Sequence, residues 1–249
     1  MTMDTLAMEP GHQWAAACDV QQRFMQHPAG ADGAFDYSGH CRQLHALGGD
    51  CYGFVPLTDG RLTMAVGDAS GKGLAAALMI SSVQSSLRTA AFFTGDDIAA
   101  LIGVVNRQVH ASSLENHYAT LFYGIFDEAS GTLRYVSAGH NPPMILRRNG
   151  AVEWLETSGA PVGMFPEWIY EEGAAKLNAG DLVVAYTDGV IEATDPVGEQ
   201  WGVEGLERAV AESRARCTED VVGSIFQAMD DFTGGSQRDD ATVAVLRVH

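Results

Sequence analysis

The chain has 249 residues and a net charge of -17, with 46% hydrophobic and 19% charged residues. This is the composition of a globular protein, not a disordered one, with material for one large domain or two small ones. So acidic a balance argues against non-specific nucleic-acid binding, which needs a Lys/Arg surface; it is compatible with carboxylates gathered around cations, although surface acid for solubility is the commoner cause.

The N-terminus has no basic region followed by an apolar run, so no secretory signal is expected. No run reaches the roughly 18 apolar residues of a membrane span. Cys18, Cys41, Cys51 and Cys217 form no C-x-x-C pair and no zinc-like spacing. None has an arginine six positions on, which excludes the C-x5-R loop of cysteine-dependent phosphatases. The expectation is a soluble cytoplasmic protein with reduced, structural thiols.

Residues 11–27 place Trp14, Ala17, Val20 and Phe24 on one helical face. From about residue 36 the pattern turns to short strands. Residues 51–57 and 61–66 flank Thr58-Asp59-Gly60, a three-residue hairpin loop with glycine last. The second run leads into "VGDASGKGL" at 66–74. A phosphate-cradling loop would need glycine at 66 and a hydroxyl at 73, and the chain has Val66 and Gly73. What remains is Asp68 at a junction between a strand and a helix.

Residues 74–93 (LAAALMISSVQSSLRTAAFF) follow the helical period, with a small-residue face suited to close packing against a sheet or partner. Residues 96–112 make a second helix. Strand pairs follow at 119–126 with 132–137 and at 144–148 with 151–155, the latter around Asn149-Gly150. Residues 182–186 read as a strand, 203–216 and 221–232 as helices, and 241–248 as a closing strand. Hairpins with helices in separate blocks predict an α+β fold of antiparallel sheets flanked by helices and argue against a doubly wound parallel sheet.

The first hairpin carries a geometric consequence. Pairing residue 57 with 61 puts Asp50 opposite Asp68 at its open end. Opposed carboxylates repel, and a divalent cation would offset the repulsion. Asp188 follows the apolar run LVVAYT, and Asp239 and Asp240 precede ATVAVLRV. For any one of them a turn-forming role is at least as good an explanation; four at strand ends with one opposed pair weaken it. All-oxygen ligands select magnesium or manganese over zinc, and no histidine spacing suits zinc. Two such ions can lower the pKa of a bridging water and clamp a phosphoryl oxygen, which fits phosphomonoester hydrolysis.

The stretches "LGGDCYGFVPLTDGRLTMAVGDASGKGLAAAL", "ATLFYGIFDEASGTLRYVSAGHNPPMILRRNG", "GAPVGMF", "LNAGDLVVAYTDGVIEATDPVGEQWG" and "DDATVAVLR" together resemble the PPM-type metal-dependent protein serine/threonine phosphatases, in their SpoIIE/RsbU-like bacterial branch. The resemblance covers roughly residues 36–249, which it implies to be the phosphatase domain, with residues 1–35 an N-terminal helix and linker. In this branch such a helix often joins a sensor domain, and none is expected within these residues. The resemblance implies a four-layer αββα sandwich holding two Mn2+ or Mg2+ ions. Asp68 would bridge both ions, Asp50 and the carbonyl of Ala69 would serve one, and Asp188 and Asp239 the other. Asp240 is expected to point to the opposite face and to matter much less. Members often read "GGDYYDF", and this chain has Gly53 in place of the second aspartate.

The implied substrate is a phosphorylated protein, an anti-sigma-factor antagonist carrying phosphoserine or phosphothreonine; no nucleic-acid or membrane partner is expected. Two alternatives stand beside it: a non-catalytic binding module of the same fold, and a phosphatase for a small phosphorylated metabolite, which would need an enclosing basic pocket. Lys72 could contact substrate phosphate or simply face solvent, and His140 in "SAGHNPP" reads better as part of a turn than as a general acid. The helices after Gly71-Lys72-Gly73 are expected to act as switch elements, because Asp68 and Ala69 stand at their start. The N-terminal helix would be their lever or a homodimer contact.

Overall fold

Two antiparallel sheets stack face to face with helices on both outer sides, in a computed structural model that describes residues 10–25, 29–57, 59–93, 97–114, 116–156 and 159–249. In chain order the elements are α1 (Pro10–Met25), β1 (Gly30–Asp32), β2 (Phe35–Arg42), β3 (Asp50–Pro56), β4 (Arg61–Ala69), α2 (Leu74–Phe93), α3 (Ile98–Ser112), β5 (Ala119–Asp127), β6 (Thr132–Ala138), β7 (Met144–Leu146) and β8 (Val152–Trp154). They continue with β9 (Gly173–Lys176), β10 (Leu182–Tyr186), α4 (Asp188–Ile191), α5 (Gly202–Ser213), α6 (Thr218–Thr233) and β11 (Ala241–Val248). One sheet runs β1-β2-β11-β10-β7-β8 and the other β3-β4-β5-β6-β9. The antiparallel α+β fold expected from the hairpin pattern is observed, stacked as the sandwich that the resemblance implies.

Three apolar layers hold it together. Met64, Val66, Phe122 and Leu133 of one sheet meet Ile145, Val183, Ala244 and Leu246 of the other. Cys51, Leu121, Tyr123 and Ile125 turn the opposite way, against Ile80 and Val83 of α2 and Leu101, Ile102 and Val105 of α3. On the far side Val184, Tyr186, Val243 and Val245 pack on Leu206, Val210, Ile225 and Phe226 of α5 and α6. Strands such as β5 are buried on both faces, which is why their sequence reads as a continuous apolar run without polar alternation. Each large apolar side chain so buried contributes roughly 1.5–3 kcal/mol, enough in sum to hold unfavourable buried groups in place.

Several boundaries differ from expectation for local reasons. Strand β4 continues through Asp68 and Ala69 because β5 pairs with it there, Asp68 opposite Thr120 and Ala69 opposite Ala119. Helix α3 begins at Ile98 because the Asp97 carboxylate accepts the Ala100 amide at 2.8 Å. Helix α6 is longer than expected, starting at Thr218, and ends where Gly234 takes the left-handed conformation at φ 66°. Strands β1 and β9 and the short helix α4 had no periodic signal, and β1 lies within the stretch expected as linker. Residues 26–27 of the expected first helix, Thr58 of the hairpin loop and residue 96 lie outside the described residues. No helix among the described residues is long and apolar enough to cross a membrane.

Helix α1 packs on α2 and β3. Gln21, buried in this contact, donates to the Gly48 carbonyl at 2.7 Å and accepts from the Gly48 amide at 3.1 Å. From α2, Gln84 reaches the Phe24 carbonyl at 2.8 Å and the Tyr52 carbonyl at 2.9 Å.

Candidate metal centre

Asp50 pairs with Asp68 in the β3–β4 ladder, as the hairpin register requires. Alternation along each strand sends both toward the second sheet, on the face of Tyr52, Phe54, Met64 and Val66. Asp50 is 2% exposed. Its Oδ2 accepts hydrogen bonds from Thr187 Oγ1 at 2.6 Å and Thr242 Oγ1 at 2.8 Å, and the Thr242 amide donates to Thr187 Oγ1 at 2.9 Å. Burial pushes the Asp50 carboxyl up to about 7 against the lowering effect of the two threonine hydroxyls. Asp68, hydrogen-bonded to Asp50, is pushed up to about 9 by burial and then by the charges of Asp50 and Asp188.

Asp188 and Asp239 reach the same end of the sandwich from the other sheet. Asp188 opens α4 with Thr187 between it and β10, and Asp239 lies two residues before β11. Gly189 permits their approach: a Cβ there would stand 1.9 Å from the Asp240 carbonyl oxygen and 3.4 Å from the Asp239 Cβ. The Asp188 carboxyl is raised by burial and next by the charge of Asp239. Lys72 binds Asp239 Oδ2 at 2.7 Å, so this solvent-facing lysine is ion-paired with one of the four aspartates.

Ala69 donates its amide to the Gly49 carbonyl at 3.0 Å. A Cβ on Gly49 would meet the Ala69 carbonyl oxygen at 3.2 Å and Asp68 Oδ1 at 3.6 Å, so the absence of a side chain leaves room beside both oxygens. Asp240 corrects an expectation. It lies before the strand, so strand alternation does not govern it, and its Oδ1 and Oδ2 accept the Leu44 and Gly49 amides, each at 2.7 Å. It fastens the loop that delivers Asp50.

His140 is buried between the sheets, with Nδ1 2.9 Å from Thr120 Oγ1 and a hydrogen bond to the Tyr186 backbone. Burial lowers its pKa to about 4, so it is neutral at pH 7 and serves as a brace. Gly53 pairs with Ala65 in mid-strand. By alternation it shares the α2-facing side of Cys51, away from Asp50 and Asp68. An aspartate at 53 would therefore not have joined the opposed pair. Sequence reasoning missed Thr187 and Thr242, although the hydroxyls beside aspartates in "YTDG" and "DDAT" were a signal.

Among the described residues, no three His, Cys, Asp or Glu side chains already close on one point as a ligand cage. Asp68 is turned to Asp50 and Asp239 to Lys72. The donor chemistry nevertheless fits hard divalent cations: carboxylates and a backbone carbonyl at one end, with a buried carboxyl and a half-buried one directly opposed.

The family model for Stage II sporulation protein E (SpoIIE) matches residues 58–249. The protein IcfG of Synechocystis is 30% identical, over 81% of this chain and 36% of IcfG. The phosphoserine phosphatase RsbU of Bacillus subtilis is 25% identical, over 93% of this chain and 68% of RsbU. The chain thus spans only about a third of IcfG. Among solved structures the SiaA PP2C domain of Pseudomonas aeruginosa superposes with a TM-score of 0.80 at 18% identity, covering 95% of this chain and 96% of that one. With most of its length matched, the chain belongs to the SpoIIE family, the SpoIIE/RsbU-like branch of the PPM-type phosphatases.

Proposed function

We propose that this chain is a metal-dependent protein serine/threonine phosphatase that hydrolyses phosphoserine or phosphothreonine on a regulatory protein, an anti-sigma-factor antagonist. The observation that carries the reading is the directly opposed Asp50–Asp68 pair, Asp50 buried and Asp68 half-buried, with Asp188 and Asp239 delivered to the same end from the other sheet. Family membership and the phosphoserine phosphatase RsbU among its relatives support the reaction class. PP2C-type phosphatases are metal-dependent.

In this reading Asp50 and the Ala69 carbonyl would hold one ion, Asp188 and Asp239 the other, and Asp68 would serve both. Divalent cations at such a site supply Lewis acidity toward a phosphoryl oxygen and toward water. The chain's own contribution is placement. The Gly49 loop leaves room beside the Ala69 carbonyl, Gly189 lets Asp188 approach Asp239, and Asp240 holds the loop before Asp50. Lys72, paired with Asp239 Oδ2 and exposed, would stand close enough to the centre to meet a substrate phosphate.

The test is hydrolysis of a chromogenic phosphomonoester and of a phosphorylated antagonist protein, with manganese, with magnesium and with chelator. Metal-dependent turnover of both, faster on the protein, is expected. Undiminished turnover after exhaustive chelation would remove the dinuclear mechanism, and turnover confined to a small phosphorylated metabolite would replace the protein substrate.

A further inference from the structure

The Asp50 carboxylate is held by two hydroxyls that come from the other sheet and the segment that follows its strand β10. Thr187 and Thr242 are each fully buried, 0% exposed, and both donate to the same atom, Asp50 Oδ2. The direction of the Thr187 hydroxyl is set, because its oxygen already accepts the Thr242 amide, leaving the proton for Asp50. The backbones are tied as well, the Thr187 amide donating to the Thr242 carbonyl at 3.1 Å. Thr187 immediately precedes Asp188, and Thr242 follows Asp239 by three residues. The two hydroxyls therefore join the carboxylate of one half of the centre to the segments carrying the other half.

We propose that Thr187 and Thr242 are positioning residues for the metal centre, a hydroxyl clamp that fixes Asp50 through Oδ2, leaves Oδ1 outside their grip, and sets the spacing between the two half-sites. This rests on the dinuclear phosphatase reading. A carboxylate with one oxygen held by two donors keeps a single orientation, and donors of this kind commonly change metal affinity by about 10–100-fold when removed. A purely structural role, the satisfying of a buried carboxylate, would lower thermal stability without selectively weakening metal binding.

The experiment measures Mn2+ binding by calorimetry and thermal unfolding for the wild type, Thr187→Val, Thr242→Val and the two Ser variants. Valine keeps the shape and removes the hydroxyl; serine keeps the hydroxyl. Each Val variant is expected to bind Mn2+ about 10-fold or more weakly, with each Ser variant within about twofold of wild type. The double Val variant should lose less than the product of the single losses, because both donors act on one oxygen. The same Val substitutions made in an Asp50→Asn background, where no buried charge is left short of donors, should change Mn2+ affinity no further.

Wild-type binding with unchanged affinity in the Val variants would overturn the clamp and leave the phosphatase reading standing. So would a further loss in the Asp50→Asn background, because the threonines would then act through some other group. A wild type that neither binds Mn2+ nor turns over phosphomonoester would overturn the phosphatase reading and the clamp with it.

Discussion

Asp50 and Asp68 face each other across the β3–β4 ladder, hydrogen-bonded, the first buried and the second half-buried. Two like charges so placed interact by several kcal/mol at the dielectric of a protein surface, so one or both stay protonated unless a cation arrives.

The pH dependence of stability follows in sign. The folded values of about 7 and about 9 lie above the usual carboxylate range, so above pH 4 the folded state binds more protons than the unfolded state. Stability from these groups is full below the unfolded value and is lost as pH rises through 7 and then 9. His140, lowered to about 4, acts in the opposite sense only below the unfolded imidazole value, so the window from pH 7 to 9 is free of it. Thermal unfolding of chelated protein should fall across that window, and saturating manganese should flatten the fall. A chelated protein whose stability rises from pH 7 to 9 would contradict the protonated pair.

Neighbouring aspartates should part ways on substitution. Asp239 meets Lys72 at an exposed ion pair, which contributes little to stability. Asp239→Asn should leave the unfolding temperature nearly unchanged, cut turnover severely and recover partly at high manganese. Asp240 accepts two backbone amides with its two oxygens, and asparagine keeps one acceptor. Asp240→Asn should destabilise by about 1.5–3 kcal/mol and lower turnover in a way manganese does not repair. Unfolding curves and manganese titrations of both variants decide it, and identical behaviour in the two would erase the distinction.

What could be read from the chain was local. The Asp50–Asp68 pairing followed from strand periodicity and one glycine-ended loop, and the β3–β4 ladder kept that register to Asp68. The clamp was not readable, because Thr187 and Thr242 lie 137 and 192 positions from Asp50 and meet it only when the sheets stack. Asp240 misled because strand alternation was applied one residue too early. Strand β9 (GAAK) lacks the branched or aromatic side chains that mark strands, so only its pairing with β6 defines it.

The grip of Gln21 on Gly48 gives the N-terminal helix a direct route to the centre. Gly48 stands two residues before Asp50, and the same loop hangs from Asp240 through Gly49. Gln21→Ala removes both amide contacts without touching a proposed ligand. The variant should need several-fold more manganese for half-maximal turnover, with a smaller change in maximal rate. An unaltered manganese dependence would reduce α1 to a packing element.

Among the ligands themselves Asp68 should matter most. In the proposed centre it is shared by both ions, whereas Asp50, Asp188 and Asp239 serve one each. Asp68→Asn keeps the size and removes the charge that stabilises two dications at once. Removing preorganised charge from such a site commonly costs on the order of 10²–10³-fold in rate, and here a second ion is lost with the first. Asp188→Asn and Asp239→Asn should each weaken one ion and recover in part as manganese is raised, while Asp68→Asn should not recover at any concentration. The substitution has a second signature: with the opposed charge gone, the fall in stability of the chelated protein between pH 7 and 9 should shrink. Turnover of the three variants across a manganese titration, read beside their unfolding curves, tests both. Near-normal turnover in Asp68→Asn would mean that the opposed pair is not the catalytic centre, whatever the other variants do.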